Sequence, residues 1–155
     1  MENDRPRVLI VEARFYDDIA DELARGAIEV LDKAGCDYER IEVPGVFEVP
    51  GAVRFAIKAM EAKAVSKPFA GFITLGCVIR GETDHYDHVC RESSRAMMDL
   101  ALDYTIAHGF GVLTVENRDQ AWVRAKVDQK NHGGRAAEAC LRMMELKKRF
   151  HLVHR

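Results

Sequence analysis

Val8-Leu9-Ile10-Val11 is an unbroken apolar run set between Arg7 and Glu12. A strand with one wet face alternates apolar and polar side chains. A continuous run belongs to a strand buried on both faces, the habit of parallel sheets. The residues that follow, from about Asp17 to Ala34, place Ile19, Leu23, Ala27, Val30, Leu31 and Ala34 three or four apart. That is the stripe of an amphipathic helix, and Gly35 closes it as a left-handed cap. Strand then helix is the unit that repeats along the chain. Phe72-Ile73-Thr74-Leu75, ending at Gly76, and Val112-Leu113-Thr114-Val115 are two further buried runs. Tyr38 to Val43 differs, because Glu39, Arg40 and Glu42 punctuate it. So polar a strand belongs at a sheet edge.

The intervening segments read as helices. One runs from Pro50-Gly51 to about Ala64. A second runs from about His85 to His108, with Val89, Ala96, Met97, Leu100 and Tyr104 inward and Gly109 closing it. The remainder is helical with a break around Asn131 to Gly134, and the last helix turns Ala137, Cys140, Leu141 and Met144 to one side. Strands alternating with helices predict an α/β fold with right-handed crossovers. The architecture expected is a flavodoxin-like three-layer α/β/α sandwich whose four-stranded parallel sheet has the order 2-1-3-4. Ligands of such sheets sit outside the carboxyl ends of the strands at the switch point, here between strands 1 and 3.

The chain reads as one domain over residues 1–155, with residues 1–6 a flexible tail. Hydrophobic residues make up 48% and charged residues 31%, with interspersed signs and a net charge of -2. That balance argues against nucleic acid or a membrane surface as the main partner. The basic cluster Lys147, Lys148 and Arg149 reads as a helix end complementing its own dipole. No stretch approaches the ~20 apolar residues of a membrane span, and Met1 to Arg7 lacks the apolar centre of a signal peptide. A cytoplasmic location is expected. Cys36, Cys77, Cys90 and Cys140 show no C-x-x-C spacing and read as small core residues in a reducing compartment.

Three loops lie at the expected ligand edge: Glu12 to Tyr16, Pro44 to Gly51, and Gly76 to His85. The third runs Gly76-Cys77-Val78-Ile79-Arg80-Gly81-Glu82-Thr83-Asp84-His85, out of a buried strand and into a helix. Gly81 lets backbone approach a ligand, and the free N–H groups of Glu82, Thr83 and the following turn make an anion site. His85 stands in that turn as a proton carrier near neutral pH. Asp84-His85-Tyr86-Asp87-His88 invites a metal reading, but the spacing lacks a convincing third ligand, so no metal is expected.

These residues also carry a resemblance. Ala13-Arg14-Phe15, the loop Val43-Pro44-Gly45-Val46-Phe47-Glu48-Val49-Pro50, and Gly76 to Val89 together resemble 6,7-dimethyl-8-ribityllumazine synthase. The likeness continues through Thr114-Val115-Glu116-Asn117, Gln120-Ala121 and Arg124-Ala125, from about Arg7 to Phe150. The opening Leu9 to Asp18 looks like the alphaproteobacterial branch. The resemblance implies a transferase of riboflavin biosynthesis. It would condense 5-amino-6-(D-ribitylamino)uracil with 3,4-dihydroxy-2-butanone 4-phosphate, releasing water and phosphate. The substrate supplies its own amine, so no cofactor is implied, and the work is alignment and proton transfer.

Roles follow from the same likeness. Phe15 corresponds to an aromatic stacked on the pyrimidine. Val46, Phe47 and Glu48 correspond to the loop that reads the pyrimidine edge and ribityl chain, with the Glu48 carboxylate accepting from ribityl hydroxyls. Val78 and Ile79 correspond to the pocket wall, and Gly81, Glu82 and Thr83 to the phosphate cradle. His85 corresponds to the catalytic histidine. Phe110, Arg124 and His132 correspond to residues donated by the adjacent subunit, Phe110 to the pyrimidine site and the other two to phosphate. Phe110 is expected to begin the fourth strand, at the opposite end of the sheet from the loops.

Two positions depart from the family pattern. His132 stands where Lys is usual, and Arg135 where many relatives carry an acid. The resemblance further implies a homo-oligomer of pentamers, as a single ring, a pair of rings or a hollow shell, with riboflavin synthase as a candidate partner. A catalytically weak family member acting as a ligand-binding or shell-forming protein is the second reading. A flavodoxin-like regulator or mononucleotide binder is the third. Glu12-Ala13-Arg14-Phe15-Tyr16 is too bulky to cradle phosphate as such binders do after strand 1.

Overall fold

Four strands form, and the three predicted from apolar runs extend beyond them. The computed structural model describes residues 4–152. In chain order the elements are β1 (Arg7–Ala13), α1 (Asp17–Lys33), β2 (Asp37–Val43), α2 (Val49–Glu61), β3 (Gly71–Ile79), α3 (His85–Tyr104), β4 (His108–Val115), α4 (Arg118–Ala125) and α5 (His132–Arg149). A single 3-10 turn, Val46–Glu48, leads into α2. The sheet is parallel throughout and ordered β2-β1-β3-β4, as the polar second strand requires.

Side-chain alternation divides the core into two layers. Val8 and Ile10 of β1 pack with Ile19, Leu23 and Ala27 of α1, Ala121 and Ala125 of α4, and Ala137 and Cys140 of α5. Leu9 and Val11 turn the other way, toward Val49, Val53 and Ile57 of α2 and Val89 and Met97 of α3. Buried runs on a sheet covered on both faces are thus accounted for residue by residue. Gly35 follows α1 at φ +71°, the left-handed cap expected of it.

The boundary between α3 and β4 corrects the sequence reading. The helix stops at Tyr104, where Thr105 takes a left-handed conformation (φ 55°, ψ 46°) that β-branched residues seldom adopt. His108 and Gly109 therefore belong to β4. Gly109 serves close packing rather than helix termination, since a Cβ there would lie 1.8 Å from the carbonyl oxygen of Ala136 in α5. In the stripe of α3, Val89 and Met97 are buried, Ala96 and Leu100 only partly so, and Tyr104 is 37% exposed. Ser93 takes a buried place there because its hydroxyl donates back to the Val89 carbonyl. The break before α5 falls at residues 126–131, with the Asn131 side chain accepting from Gly134 N–H at 3.1 Å.

Cys36, Cys77 and Cys140 are buried and free, and burial pushes the Cys77 thiol up to about 11 and the Cys140 thiol up to about 12. Of the tail expected over residues 1–6, residues 1–3 lie outside the described residues. Arg5 Nε donates to Gly35 O at 2.9 Å, and Asp37 N–H donates to Pro6 O at 2.9 Å. No helix among the described residues is long and apolar enough to cross a membrane.

Candidate active site

β1 and β2 end beside Gly76, three residues before β3 ends at Ile79. A Cβ on Gly76 would lie 2.7 Å from Val46 Cγ2 and 3.1 Å from Ala13 Cβ. Only glycine lets the 3-10 turn after β2 settle against β3 beside the end of β1. Val46 is the buried anchor of that turn, and its neighbours Phe47 and Glu48 are turned out to solvent. Phe15 stands on the next loop, 75% exposed, its ring edge-on to Tyr16 at 4.9 Å between centroids. Phe15 and Phe47 thus both stand outward, on the loops that follow the paired strands β1 and β2.

The Phe15 loop is held from beneath by Glu12, a residue whose role the sequence did not suggest. Its carboxylate is 3% exposed, accepts from Arg40 Nε and Nη2 at 2.6 and 2.9 Å, and accepts from Arg14 Nη1 at 2.9 Å. Arg14 also pairs with Asp21 in α1. A buried carboxylate is tolerated when it is paired and hydrogen-bonded in this way.

Beyond β3, residues 81–85 are exposed and lead into α3. His85 is the first residue of the helix, and its N–H donates to Thr83 Oγ1 at 3.3 Å. Asp84, the N-cap, makes no side-chain cap bond, which leaves the other amides of the turn open to an anion. His88 pairs with Asp84 at 3.3 Å, and among the described residues no group of three or more His, Cys, Asp or Glu is arranged to hold a metal ion.

A second basic corner forms where α4 turns into α5. His132 is half-buried, and its pKa is lowered first by burial and then by the charges of Arg135, Arg124 and Lys130. Arg124 Nη1 donates to its own helix at Gln120 O, 3.1 Å away. Arg124 and His132 therefore share one electropositive environment, suited to phosphate oxygens.

The sequence matches the model of the 6,7-dimethyl-8-ribityllumazine synthase family over residues 5–148. The chain belongs to that family. A 6,7-dimethyl-8-ribityllumazine synthase of Bartonella tribocorum is 53% identical, over 94% of this chain and 93% of its own. Those of Agrobacterium fabrum and Paramagnetospirillum magneticum are each 50% identical, over 94% of this chain and 97% of theirs. The alphaproteobacterial character read from Leu9 to Asp18 agrees with these relatives.

For a member of the lumazine synthase family, the residues named from sequence, Phe110 apart, fall into two groups. Phe15, Val46 to Glu48, Val78 and Gly81 to His85 are on or beside the three loops that meet at the carboxyl edge. Val78 and Ile79 face opposite ways: Val78 packs with the α2 and α3 layer, Ile79 with the α1, α4 and α5 layer. Arg124 and His132 form the other group, on helices that cover the α1 side of the sheet.

Phe110 does not begin β4, which starts at His108. It is the third residue, paired in register with Thr74, while Val115 pairs with Ile79 at the end of β3. Phe110 thus stands five positions back from the end of β4, about 16 Å along the strand, but through Thr74 it is level with Val11, two residues before the end of β1, so it does not lie at the opposite end of the sheet from the loops after β1 and β2. Its ring is 42% exposed, on the face that also carries Val112 toward α2 and α3.

Proposed function

We propose that this chain condenses 5-amino-6-(D-ribitylamino)uracil with 3,4-dihydroxy-2-butanone 4-phosphate to give 6,7-dimethyl-8-ribityllumazine, two waters and inorganic phosphate. Family membership across nearly the whole chain carries the reading. Phe15 stacks on the pyrimidine, and the Val46 to Glu48 turn reads its edge and the ribityl hydroxyls. The exposed amides of Gly81, Glu82 and Thr83 take the phosphate of the second substrate. His85, one turn further, moves protons: from the attacking amine, to the hydroxyl lost as water from the carbinolamine, and to the departing phosphate. Each transfer needs a base and then an acid near neutral pH, which one imidazole supplies.

The site is shared between neighbouring chains in a pentameric ring, Phe110, Arg124 and His132 being given to the adjacent chain's loops. An unpartnered apolar face supports this. Phe55 is 76% exposed, Leu102 72% and Met98 59%, all on α2 and α3, the layer that Phe110 faces. Apolar rings and side chains at that exposure call for a protein partner. The enzyme works in the cytoplasm, where its four free cysteines stay reduced.

Mixing purified protein with both substrates and following product fluorescence together with phosphate release tests the reading. Product and phosphate formed in equal amounts are expected. Tight binding of the pyrimidine without turnover would favour a ligand-binding or shell-forming role instead.

A further inference from the structure

Arg80 ends the β3 edge and opens the phosphate loop, and none of the roles above uses it. Its backbone N–H donates to Val115 O at 2.9 Å, so its Cα is fixed by the sheet. Its Nε donates to both carboxylate oxygens of Glu116, at 3.1 and 2.9 Å. Its Nη1 donates to Asp87 Oδ1 at 3.3 Å, and its guanidinium carbon lies 4.2 Å from the centre of the Tyr86 ring. Glu116 follows β4. Tyr86 and Asp87 stand in the first turn of α3, next to His85. One side chain therefore grips the loop after β4 and the start of the helix that carries the catalytic histidine.

We infer that Arg80 is a positioning residue, clasping the first turn of α3 to the end of β4 so that His85 and the Gly81 to Thr83 amides hold a fixed relation. The inference rests on the reading of His85 and that loop given above. The loop needs such a clasp. It is solvent-exposed, and its helix has no side-chain N-cap. A guanidinium suits the task because its planar fork meets two carboxylates and an aromatic face at once, which an ammonium does not. Held by two carboxylates, Arg80 is engaged by the protein itself and is not the group that receives the phosphate.

The contacts are exposed, and exposed ion pairs add little stability. Their effect is on geometry. Displacing a reacting group by about 1 Å costs on the order of 100-fold in rate. Glu116 also precedes Asn117, whose side chain caps α4 by accepting from Gln120 N–H at 2.9 Å. The clasp thus joins this chain's His85 loop to the helix that presents Arg124.

The test compares Arg80→Ala, Arg80→Lys, Glu116→Ala, the double variant Arg80→Ala/Glu116→Ala and His85→Ala, each as the assembled oligomer. Arg80→Ala is expected to lower kcat about 10- to 100-fold with the thermal midpoint nearly unmoved. Glu116→Ala should lower kcat in the same direction, and the double variant should be no worse than Arg80→Ala, because one linkage is broken only once. Arg80→Lys should recover part of the rate. Amide hydrogen exchange over residues 80–88 should quicken in Arg80→Ala and in Glu116→Ala.

Additive losses in the double variant would overturn the inference. So would weaker inorganic phosphate binding in Arg80→Ala with a normal rate in Glu116→Ala, which would make Arg80 a phosphate ligand. A normal rate in Arg80→Ala beside an impaired His85→Ala would refute the clasp alone. Normal rates in both would refute the reading of the site.

Discussion

Thr74 Oγ1 lies 2.8 Å from His108 Nε2, joining β3 to the edge strand β4 inside the α2 and α3 layer. Thr74 is fully buried and the imidazole mostly so. Burial pushes the His108 pKa from 6.5 down to about 4. The unfolded chain then binds a proton between those values that the native chain refuses. Stability is fully present above about pH 6.5 and is lost as pH falls toward 4, by up to about 3 kcal/mol. Thermal midpoints from pH 7 to 4.5 at one protein concentration should fall, and His108→Gln should flatten the curve in that window. An equal slope in both proteins would remove His108 as the cause.

Gly76→Ala should loosen the pyrimidine side of the site. The new methyl would meet Val46 Cγ2 at 2.7 Å, and Val46 is buried with nowhere to retreat except by moving its turn. Overpacking of this kind costs about 1–3 kcal/mol. The KM for the pyrimidine should rise several-fold as Phe47 shifts with the turn. Adding Val46→Ala removes the closest clashing atom, leaves only the 3.1 Å contact with Ala13 Cβ, and should return part of the stability. A KM unchanged in Gly76→Ala would show that the turn does not border the pyrimidine.

His132→Lys should tighten inorganic phosphate binding above about pH 7. Burial and the neighbouring cations lower the His132 pKa, so the wild-type ring is neutral there, and it gains charge only as pH falls below the usual histidine value of about 6.5. A lysine stays charged across the range. Wild-type phosphate affinity should therefore climb on acidification while the variant's changes little. Equal affinities at pH 8 would place residue 132 away from the phosphate.

The parts of this fold that were legible in sequence are those written in apolar pattern. Val8 to Val11, Phe72 to Leu75 and Val112 to Val115 report their own burial, and the charges of β2 report its edge. What escaped is long-range and polar. Glu12 at the end of an apolar run looks like a return to solvent, and it is buried only because strand pairing brings Arg40 beside it. Arg80 and Glu116 are 36 residues apart, and nothing local announces their pairing. The end of α3 was misplaced because a left-handed threonine leaves no mark in sequence, whereas Gly109 resembles a cap. The loops that the structure gathers beside Gly76 were legible as loops because each is a run of consecutive residues at the end of a strand. Whether residues of distant loops serve one pocket or two was not.

That question separates Arg124 from His85. The two lie on helices that cover opposite faces of the sheet, Arg124 on α4 and His85 at the start of α3. If each chain lends Arg124 to its neighbour's His85 loop, two crippled proteins should rescue one another. His85→Ala and Arg124→Ala are each expected to lose most activity, the first by roughly 100-fold or more as a lost proton carrier. Unfolded together and refolded, they should form mixed rings. In a head-to-tail ring built from equal amounts, roughly a quarter of interfaces pair an intact His85 with an intact Arg124 from the next chain. Activity near a quarter of wild type should return, and mass spectrometry of the intact assemblies verifies that the rings are mixed. Mixed rings no more active than the single variants would place both residues in one chain's pocket.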